Sequence, residues 1–171
     1  MTRSIKNPSQ DQTLRPLVKA HMSKTYEWIS DPKFRKAFMV RGENSWERHV
    51  EYFNSLLADD TQQGYAIYLD DIHVGNCGFK SISKSEKSAE LWIYLGSVEA
   101  RGLGLGGRAL TLLIKNGINL FNLISINVHV AEDNLTGISL YRRNGFFEDG
   151  VCSKEWKDRD ANILRMLWRV E

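Results

Sequence analysis

A glycine-rich stretch at residues 101–108, Arg-Gly-Leu-Gly-Leu-Gly-Gly-Arg, constrains this chain more than any other feature. It holds four of the 13 glycines. An apolar run at residues 91–95 precedes it and predicts a buried strand, and apolar residues at helical spacing follow it as far as Phe121. The stretch is therefore predicted to be a strand-to-helix turn. Such a turn presents unpaired N–H groups at a helix N-terminus, where a phosphate or diphosphate is the expected ligand.

Several kinds of site fit a glycine-rich turn. A Walker loop is excluded, because Arg108 and Ala109 stand where its lysine and hydroxyl residue are required. The dinucleotide fingerprint GxGxxG is present at Gly102, Gly104 and Gly107. However, only about 40 residues follow the next predicted strand, and a doubly wound fold needs further strand–helix–strand units there. A site for another phosphate-bearing ligand and a structural turn without a ligand both stay open.

Three segments, in order, resemble motifs of the GNAT superfamily of N-acetyltransferases. Residues 101–106 are similar to the family's Arg/Gln-x-x-Gly-x-Gly/Ala motif. Residues 134–146 resemble its Asn…Tyr-x-x-x-Gly-Phe segment, and residues 89–93 its central strand with a leading glutamate. Leu-Arg-Pro-Leu at residues 14–17 resembles the opening of one branch, whose members acetylate ribosomal-protein N-termini, polyamines and nucleotide-linked amino sugars. The resemblance extends over residues 13–170.

The resemblance implies an α/β (α+β) fold with a mixed, mostly antiparallel central sheet, flanked by helices and splayed between its fourth and fifth strands. The apolar patterns agree, because they predict strand, two helices, three strands, helix, strand, helix and two strands. Residues 1–12 are expected to be a frayed lead-in, and residues 13–171 a single acetyltransferase domain. The predicted strands are 14–18, 65–69, 72–79, 91–95, 124–130, 147–152 and 163–170, with a polar loop at 81–88 and a turn at 157–160.

Composition places the chain among globular proteins, with 42% hydrophobic and 26% charged residues. A net charge of +2 gives no support for a nucleic-acid partner. No stretch approaches the roughly 20 apolar residues of a membrane helix, and the polar first 12 residues do not resemble a secretion signal. Cys77 and Cys152 form neither a metal-ligand spacing nor a disulfide framework. A cytoplasmic location without a bound metal is therefore expected, and His129, in the middle of a strand, is expected to be structural.

Acetyl transfer from a thioester to an amine requires a neutral amine, a donor for the oxyanion and a proton for the leaving thiolate. Glu90 matches the family's central-strand glutamate, and the resemblance implies that it is the general base, often through a water. A carboxyl group titrates near about 4.3, so it is a poor base at neutral pH unless its surroundings raise the pKa. The alternative interpretation is a strand-end glutamate paired with a nearby lysine.

Tyr141 matches the family tyrosine that lies beside the sulfur of coenzyme A and protonates it. A phenol has a pKa of about 10 and a thiol of about 8.5, so a hydrogen bond to the developing thiolate is more favourable than an early proton transfer. The alternative interpretation is a helix tyrosine that packs against Ile138.

The resemblance implies that coenzyme A contacts the central strand, the glycine turn and the helix after residue 134. The predicted cofactor-binding residues are Ile93, Tyr94, Leu95, Arg101, Gly102, Leu103, Gly104, Leu105, Gly106, Gly107, Arg108, Asn134 and Tyr141. A backbone N–H near residues 93–95 is expected to bind the oxyanion. Asn134 also fits a simple helix N-cap, and both roles are compatible.

The acceptor is expected between the first two helices and the neighbouring loops. Its candidate contacts are Trp28, Glu43 and Trp92, although core packing is the alternative for Trp28. Residues 32–46 carry both signs of charge. Cations would suit a nucleotide-linked amino sugar, whereas acids would suit a polyamine or a peptide amine.

The predicted function is acetyl-CoA-dependent N-acetyl transfer to a primary amine, by direct attack in a ternary complex. The acceptor is expected to be a small molecule such as an amino sugar. The alternatives are a protein N-terminal or lysine acetyltransferase, and a CoA-binding module without catalysis. Acetyl-CoA is the expected co-substrate, and a monomer or homodimer the expected assembly.

Overall fold

The computed structural model describes residues 13–38, 40, 42–152 and 162–170. Over these residues the strands are β1 Leu14–Pro16, β2 Gln63–Leu69, β3 Ile72–Ser83, β4 Ser88–Leu95, β5 Ser125–Ala131, β6 Phe147–Cys152 and β7 Ile163–Arg169. The α-helices are α1 Met22–Ile29, α2 Pro32–Ala37, α3 Trp46–Ala58, α4 Leu105–Phe121 and α5 Leu135–Arg143. The expected lead-in at 1–12 and the expected turn at 157–160 lie outside the described residues.

The strands form a single mixed sheet in the order β1-β2-β3-β4-β5-β7-β6. All neighbours are antiparallel except β4 and β5, which are parallel. The α/β fold class predicted from the sequence is therefore confirmed. β1 lies at the edge of the sheet and ends at Pro16, and both features suit proline because it has no backbone N–H to donate.

The sheet opens between β4 and β5. The two strands pair only at their first residues, from Ser88 opposite Ser125 to Glu90 opposite Asn127. Beyond Glu90, β4 stays paired with β3 as far as Leu95, but its other edge has no strand partner in the described part of the chain. The splay expected between the fourth and fifth strands is thus present.

The two faces of the sheet are covered by different helices. On one face, α4 and α5 pack on β2–β5 around a core that includes Phe79, Leu91 and Leu110. On the other face, α1 and α3 cover Ala66, with Phe53 and Leu56 of α3 buried against it. Alternating residues of each strand reach opposite faces, so the two faces of the sheet receive different side chains.

Two local expectations need correction. β3 continues to Ser83 instead of ending near residue 79, so the loop expected at 81–88 is reduced to a turn of four residues between the strands. The reason is Ile82, which is buried and donates its N–H to the carbonyl of Thr61. Two helices were predicted between the first two strands, but the described chain has a third, α2, whose N-terminus is capped by the Asp31 carboxylate, 2.9 Å from the N–H of Lys33.

Candidate active site between the fourth and fifth strands

A cavity of about 1310 Å³ occupies the opening between β4 and β5. Its wall is formed by α2 and α3 on one side, and by the glycine turn and α5 on the other. Of the residues predicted to act in catalysis, Glu90 and Tyr141 both line it. The structure therefore brings the two predicted catalytic side chains and the glycine turn into one space.

The glycine turn presents a row of free amides. The backbone N–H groups of residues 102–107 donate to no carbonyl in the described part of the chain, whereas the N–H of Arg108 donates to Gly104 within the first turn of α4. Gly104 is the N-cap of α4 and has φ of 75°, and no side chain caps this end. A helix N-terminus with unpaired amides attracts an anion, so this turn fits a phosphate group.

Glycine is required at two positions of the turn. Gly102 and Gly104 have φ of +76° and +75°, and a Cβ at either would meet no protein atom within 4 Å. The space above both residues is therefore open to a ligand. At Gly106 and Gly107, a Cβ would make an ordinary contact 3.8 Å from Leu140.

The side chains and backbone of residues 101–108, all predicted to bind the cofactor, fall into three groups. Arg101, Gly102, Gly104, Gly106 and Gly107 line the cavity, and the Arg101 guanidinium donates to the carbonyl of Leu95 at 3.0 and 3.2 Å. This bond ties the turn to the end of β4. Leu105 is buried in the core, whereas Leu103 and Arg108 are exposed away from the lining.

The outer half of β4 borders the cavity through its backbone. Ile93, Tyr94 and Leu95 line the space beside the unpaired edge of the strand. The side chain of Tyr94 does not belong to this edge, because its hydroxyl accepts a hydrogen bond from Asn76 Nδ2 at 2.8 Å and its ring packs 5.0 Å from that of Phe34. Its partners Asn76 and Phe34 also line the cavity.

Tyr141 lies on α5 with its side chain buried among core residues and its ring 5.6 Å from that of Phe146. Burial raises the pKa of the phenol well above its usual value, so the hydroxyl keeps its proton at neutral pH. No hydrogen bond joins this hydroxyl to another residue of the described chain. The hydroxyl is therefore a proton donor that has no hydrogen-bond partner in the described chain, and its residue lines the cavity.

Glu90 is held by two cationic or donating groups. Its Oε1 lies 3.0 Å from Nζ of Lys80 and 2.9 Å from Nδ1 of His129. Burial tends to raise the pKa of Glu90, but the hydrogen bonds from His129 and Lys80 outweigh it, and the pKa lies below its usual value. The lysine pairing expected as the alternative for Glu90 is present, and the site does not raise the pKa of this carboxyl.

Asn134 lines the cavity and caps α5, because its Oδ1 accepts from the N–H of Gly137 at 2.9 Å. Its side-chain NH2 has no partner among the described residues, so a donor stays available to a ligand.

Two of the three residues predicted to contact the acceptor line the cavity, and the third does not. Glu43 and Trp92 line the cavity, Glu43 with Arg48 at 4.0 Å and Trp92 with its ring stacked 6.1 Å from Tyr94. Trp28 does not line it. Its ring is buried against Gly96 and His73, which is the core packing considered from the sequence.

Two cavity residues were missed by sequence reasoning. His129 was expected to be structural, yet it lies on the wall in contact with Glu90. Glu90 lies opposite Asn127 in the parallel pair, and His129 follows Asn127 by two residues on β5. The side chains of Glu90 and His129 are therefore on the same face of the sheet. His49 of α3 is buried, donates Nε2–H to the carbonyl of Met22 at 3.0 Å and has no partner for Nδ1 in the described chain.

Among the described residues, no group of three or more histidines, cysteines or acids is placed to hold a metal ion. A helix of the length and apolarity needed to cross a bilayer is likewise not found in that part of the chain.

The open strand edge, the free amides of residues 102–107 and the buried phenol of Tyr141 lie in one cavity, and the amides suit a ligand that carries a phosphate. The sequence pattern of a family described as acetyltransferase (GNAT) domain matches residues 12–147. The chain therefore belongs to the GNAT acetyltransferase family and is an N-acetyltransferase.

Relatives and structural neighbours agree with this assignment. The chain is 21% identical over 170 residues to the N-acetyltransferase 9-like protein of Caenorhabditis briggsae, with 92% of this chain and 85% of the relative covered. It is 22% identical over 155 residues to spermidine N(1)-acetyltransferase of Escherichia coli K12, with 90% and 83% covered. The structure of spermidine N-acetyltransferase from Vibrio cholerae in complex with CoA and spermine superposes with a TM-score of 0.83, at 21% identity and with 92% and 94% covered. At this identity, the structural likeness shows the fold.

Proposed function

We propose that this enzyme transfers the acetyl group of acetyl-CoA to the primary amine of a small molecule, by direct attack in a ternary complex. The observation that carries the proposal is the row of unpaired amides at residues 102–107, which opens on the same cavity as Tyr141. The amides bind the diphosphate of coenzyme A, and the pantetheine arm pairs with the free edge of β4 as an added strand would.

Direct attack is favoured over a covalent acetyl-enzyme. Cys77 is fully buried, and burial raises the pKa of its thiol, so no thiolate is available at neutral pH. Tyr141, which keeps its proton, donates to the sulfur as the thiolate leaves. A backbone N–H of residues 93–95 stabilises the oxyanion.

The charges of the cavity favour an acceptor that is not a polycation. The two acids among its described lining residues, Glu43 and Glu90, each already have a cationic partner, Arg48 and Lys80. Glu90 is held by Lys80 at 3.0 Å, so a polyamine would find one loosely paired carboxylate on this wall, that of Glu43, 4.0 Å from Arg48.

Cations of the lining point to an acceptor with a neutral or anionic body. Arg35 donates to the carbonyls of Ile29 and Gly42 and has no carboxylate partner in the described chain. An amino sugar, free or linked to a phosphate, fits this balance of charge. An amine on a protein is the second candidate, since the cavity is open on the side of Glu43.

Thiol release from acetyl-CoA, measured with a panel of amino sugars, nucleotide-linked amino sugars, polyamines and peptides, tests this proposal. Amine-dependent release that is fastest with an amino sugar is expected, with the acetylated amine identified by mass spectrometry. Fastest release with spermidine or with a peptide overturns the proposed acceptor class. CoA binding without transfer to any amine supports the non-catalytic module instead.

The oligomeric state of this chain can be proposed independently of its acceptor. One structural neighbour is described as a dodecameric spermidine N-acetyltransferase from Vibrio cholerae, with a TM-score of 0.76, 21% identity and 92% of both chains covered. We infer a monomer or a homodimer for this chain, and light scattering of the purified protein with and without acetyl-CoA tests it. A dodecamer would contradict the inference.

A further inference from the structure

The side chains of Glu90 and His129 meet across the opening between β4 and β5. Glu90 Oε1 lies 2.9 Å from His129 Nδ1, and the same oxygen lies 3.0 Å from Lys80 Nζ. An ionised carboxylate only accepts hydrogen bonds, so Nδ1 must carry the hydrogen. In the neutral imidazole, the lone pair is then on Nε2.

This Nε2 is open to the cavity. It makes no hydrogen bond to the described residues. It is also not one of the buried nitrogen and oxygen atoms that lack a hydrogen-bond partner in the described chain, so it is accessible to solvent or a ligand. His129 lines the same space as Tyr141 and the glycine turn. A basic nitrogen of fixed tautomer therefore lies on the wall where the amine must approach the thioester.

Glu90 itself is poorly placed to take a proton. The oxygen that faces His129 already accepts two hydrogen bonds, and the bonds from His129 and Lys80 stabilise its ionised form. A carboxylate stabilised in this way is a weaker base than a free one. It is well suited to orient an imidazole, as the buried acid does in triads that use histidine as the base.

We propose that the imidazole of His129 is the general base of acetyl transfer and that Glu90 is its positioning residue. The inference rests on the proposed function. The general base is then His129 instead of Glu90, and the pairing of β4 with β5 brings these two side chains together. Lys80 holds the carboxylate in its ionised state.

The neutral amine attacks the carbonyl carbon of the thioester, a C–N bond forms, and the C=O electron pair moves to oxygen. Nε2 of His129 takes the proton that the amine nitrogen loses. As the pair returns, the C–S bond breaks and the thiolate takes the hydroxyl proton of Tyr141. Solvent carries the proton of His129 back to Tyr141, and the products are the acetylated amine and coenzyme A.

The charged groups around His129 are few. Glu90 of β4 contacts it, and Lys80 of β3 reaches it through Glu90. Arg165 is its cross-strand partner on β7, and the guanidinium of Arg165 pairs with Asp149 of β6. Tyr141 of α5 shares the cavity.

The His129→Asn variant tests the proposal, because its side-chain NH2 can still donate to Glu90 while the basic nitrogen is lost. The rate constant kcat is expected to fall by about 100-fold or more, with acetyl-CoA binding unchanged. The acidic limb of the kcat/KM pH profile should change its position in this variant. His21→Gln, in a histidine that does not line the cavity, should leave the rate and the profile unchanged.

Glu90→Gln separates the two roles. If Glu90 acts through His129, Glu90→Gln lowers kcat less than His129→Asn does, and the double variant is no slower than His129→Asn alone. A larger fall in Glu90→Gln, with more than half of the activity kept in His129→Asn, would assign the base to Glu90. His129→Gln, with its folding checked by circular dichroism, replaces His129→Asn should that variant not fold.

The proposed function and this inference fail differently. A wild-type enzyme without amine-dependent thiol release overturns the function and the inference with it. A wild-type enzyme that turns over, together with a His129→Asn variant of unchanged rate and unchanged pH profile, overturns only the role of His129.

Discussion

His129 and Glu90 contact each other at 2.9 Å although 39 positions separate them in the chain. The contact bridges the two strands at the point where their backbone pairing ends. It therefore joins the strands by side chains while the backbone groups beyond it stay free for a ligand. The same contact orients the imidazole toward the cavity that also holds Tyr141.

Replacing Tyr141 by phenylalanine should lower kcat by about 100-fold, because the leaving thiolate loses its proton donor. Binding of acetyl-CoA should stay within about twofold, since the ring and its core packing are kept. Steady-state thiol release and a binding titration measure the two quantities. Tyr65→Phe is the matched control, a buried tyrosine outside the cavity, and it should keep the wild-type rate. An active Tyr141→Phe enzyme would remove the hydroxyl from the reaction.

Replacing Gly104 by valine should abolish coenzyme A binding. The residue has φ of +75°, which a branched side chain rarely adopts, and its Cβ would enter the open space above the amides. Gly150→Val is the control, because Gly150 also has a positive φ, of +127°, and does not line the cavity. Loss of binding in both variants, or in neither, would contradict the proposed binding of coenzyme A by the glycine turn.

Stability should fall as the pH drops below about 6.5. Burial lowers the pKa of His21, His49 and His73, so in this range the unfolded chain binds protons that the folded chain excludes. Each such histidine contributes up to about 1.4 kcal/mol per pH unit to the slope. Lowered carboxyl pKa values, as at Glu90, act only below about pH 4.5.

Urea unfolding at about pH 7.5, 6.5 and 5.5 measures this slope. The urea midpoint should decrease toward acid, and the decrease should be smaller in His49→Gln, because one buried imidazole is removed. A midpoint that does not change over this range would show that these histidines titrate equally in the folded and unfolded chains.

Replacing Gly96 by alanine should destabilise the fold by about 1–3 kcal/mol through overpacking. A Cβ at Gly96 would overlap the ring of Trp28, which is buried against it. The Trp28→Phe change in the same chain should recover part of the loss, since a smaller ring leaves room for the methyl group. Urea midpoints of the single and double variants test the coupling, and additive losses would mean that the two residues do not compete for space.

The strand-to-helix turn could be predicted from the sequence because its signals are local. Four glycines follow an apolar run and precede a helical stripe, and the structure has β4, the turn and α4 in that order. Long, strongly patterned segments carry their own secondary structure.

The contact between His129 and Glu90 could not be predicted from the sequence. The contact depends on the register of the parallel pair, in which Glu90 lies opposite Asn127, and no local pattern gives that register. The length of β3 was also underestimated, because residues 80–83 are polar except Ile82, and a tertiary hydrogen bond to Thr61 holds them. Tertiary contacts decided both cases.

The most direct measurement compares the binding of pantetheine and dephospho-CoA by titration calorimetry, in the wild type and in Gly104→Val. Both ligands carry the pantetheine arm, but only dephospho-CoA carries the diphosphate. The wild type should bind dephospho-CoA at least about 100-fold more tightly, the effect of two charge-assisted hydrogen bonds, and Gly104→Val should lose this difference. Equal affinity of the wild type for the two ligands would contradict the assignment of the amides at residues 102–107 to the diphosphate.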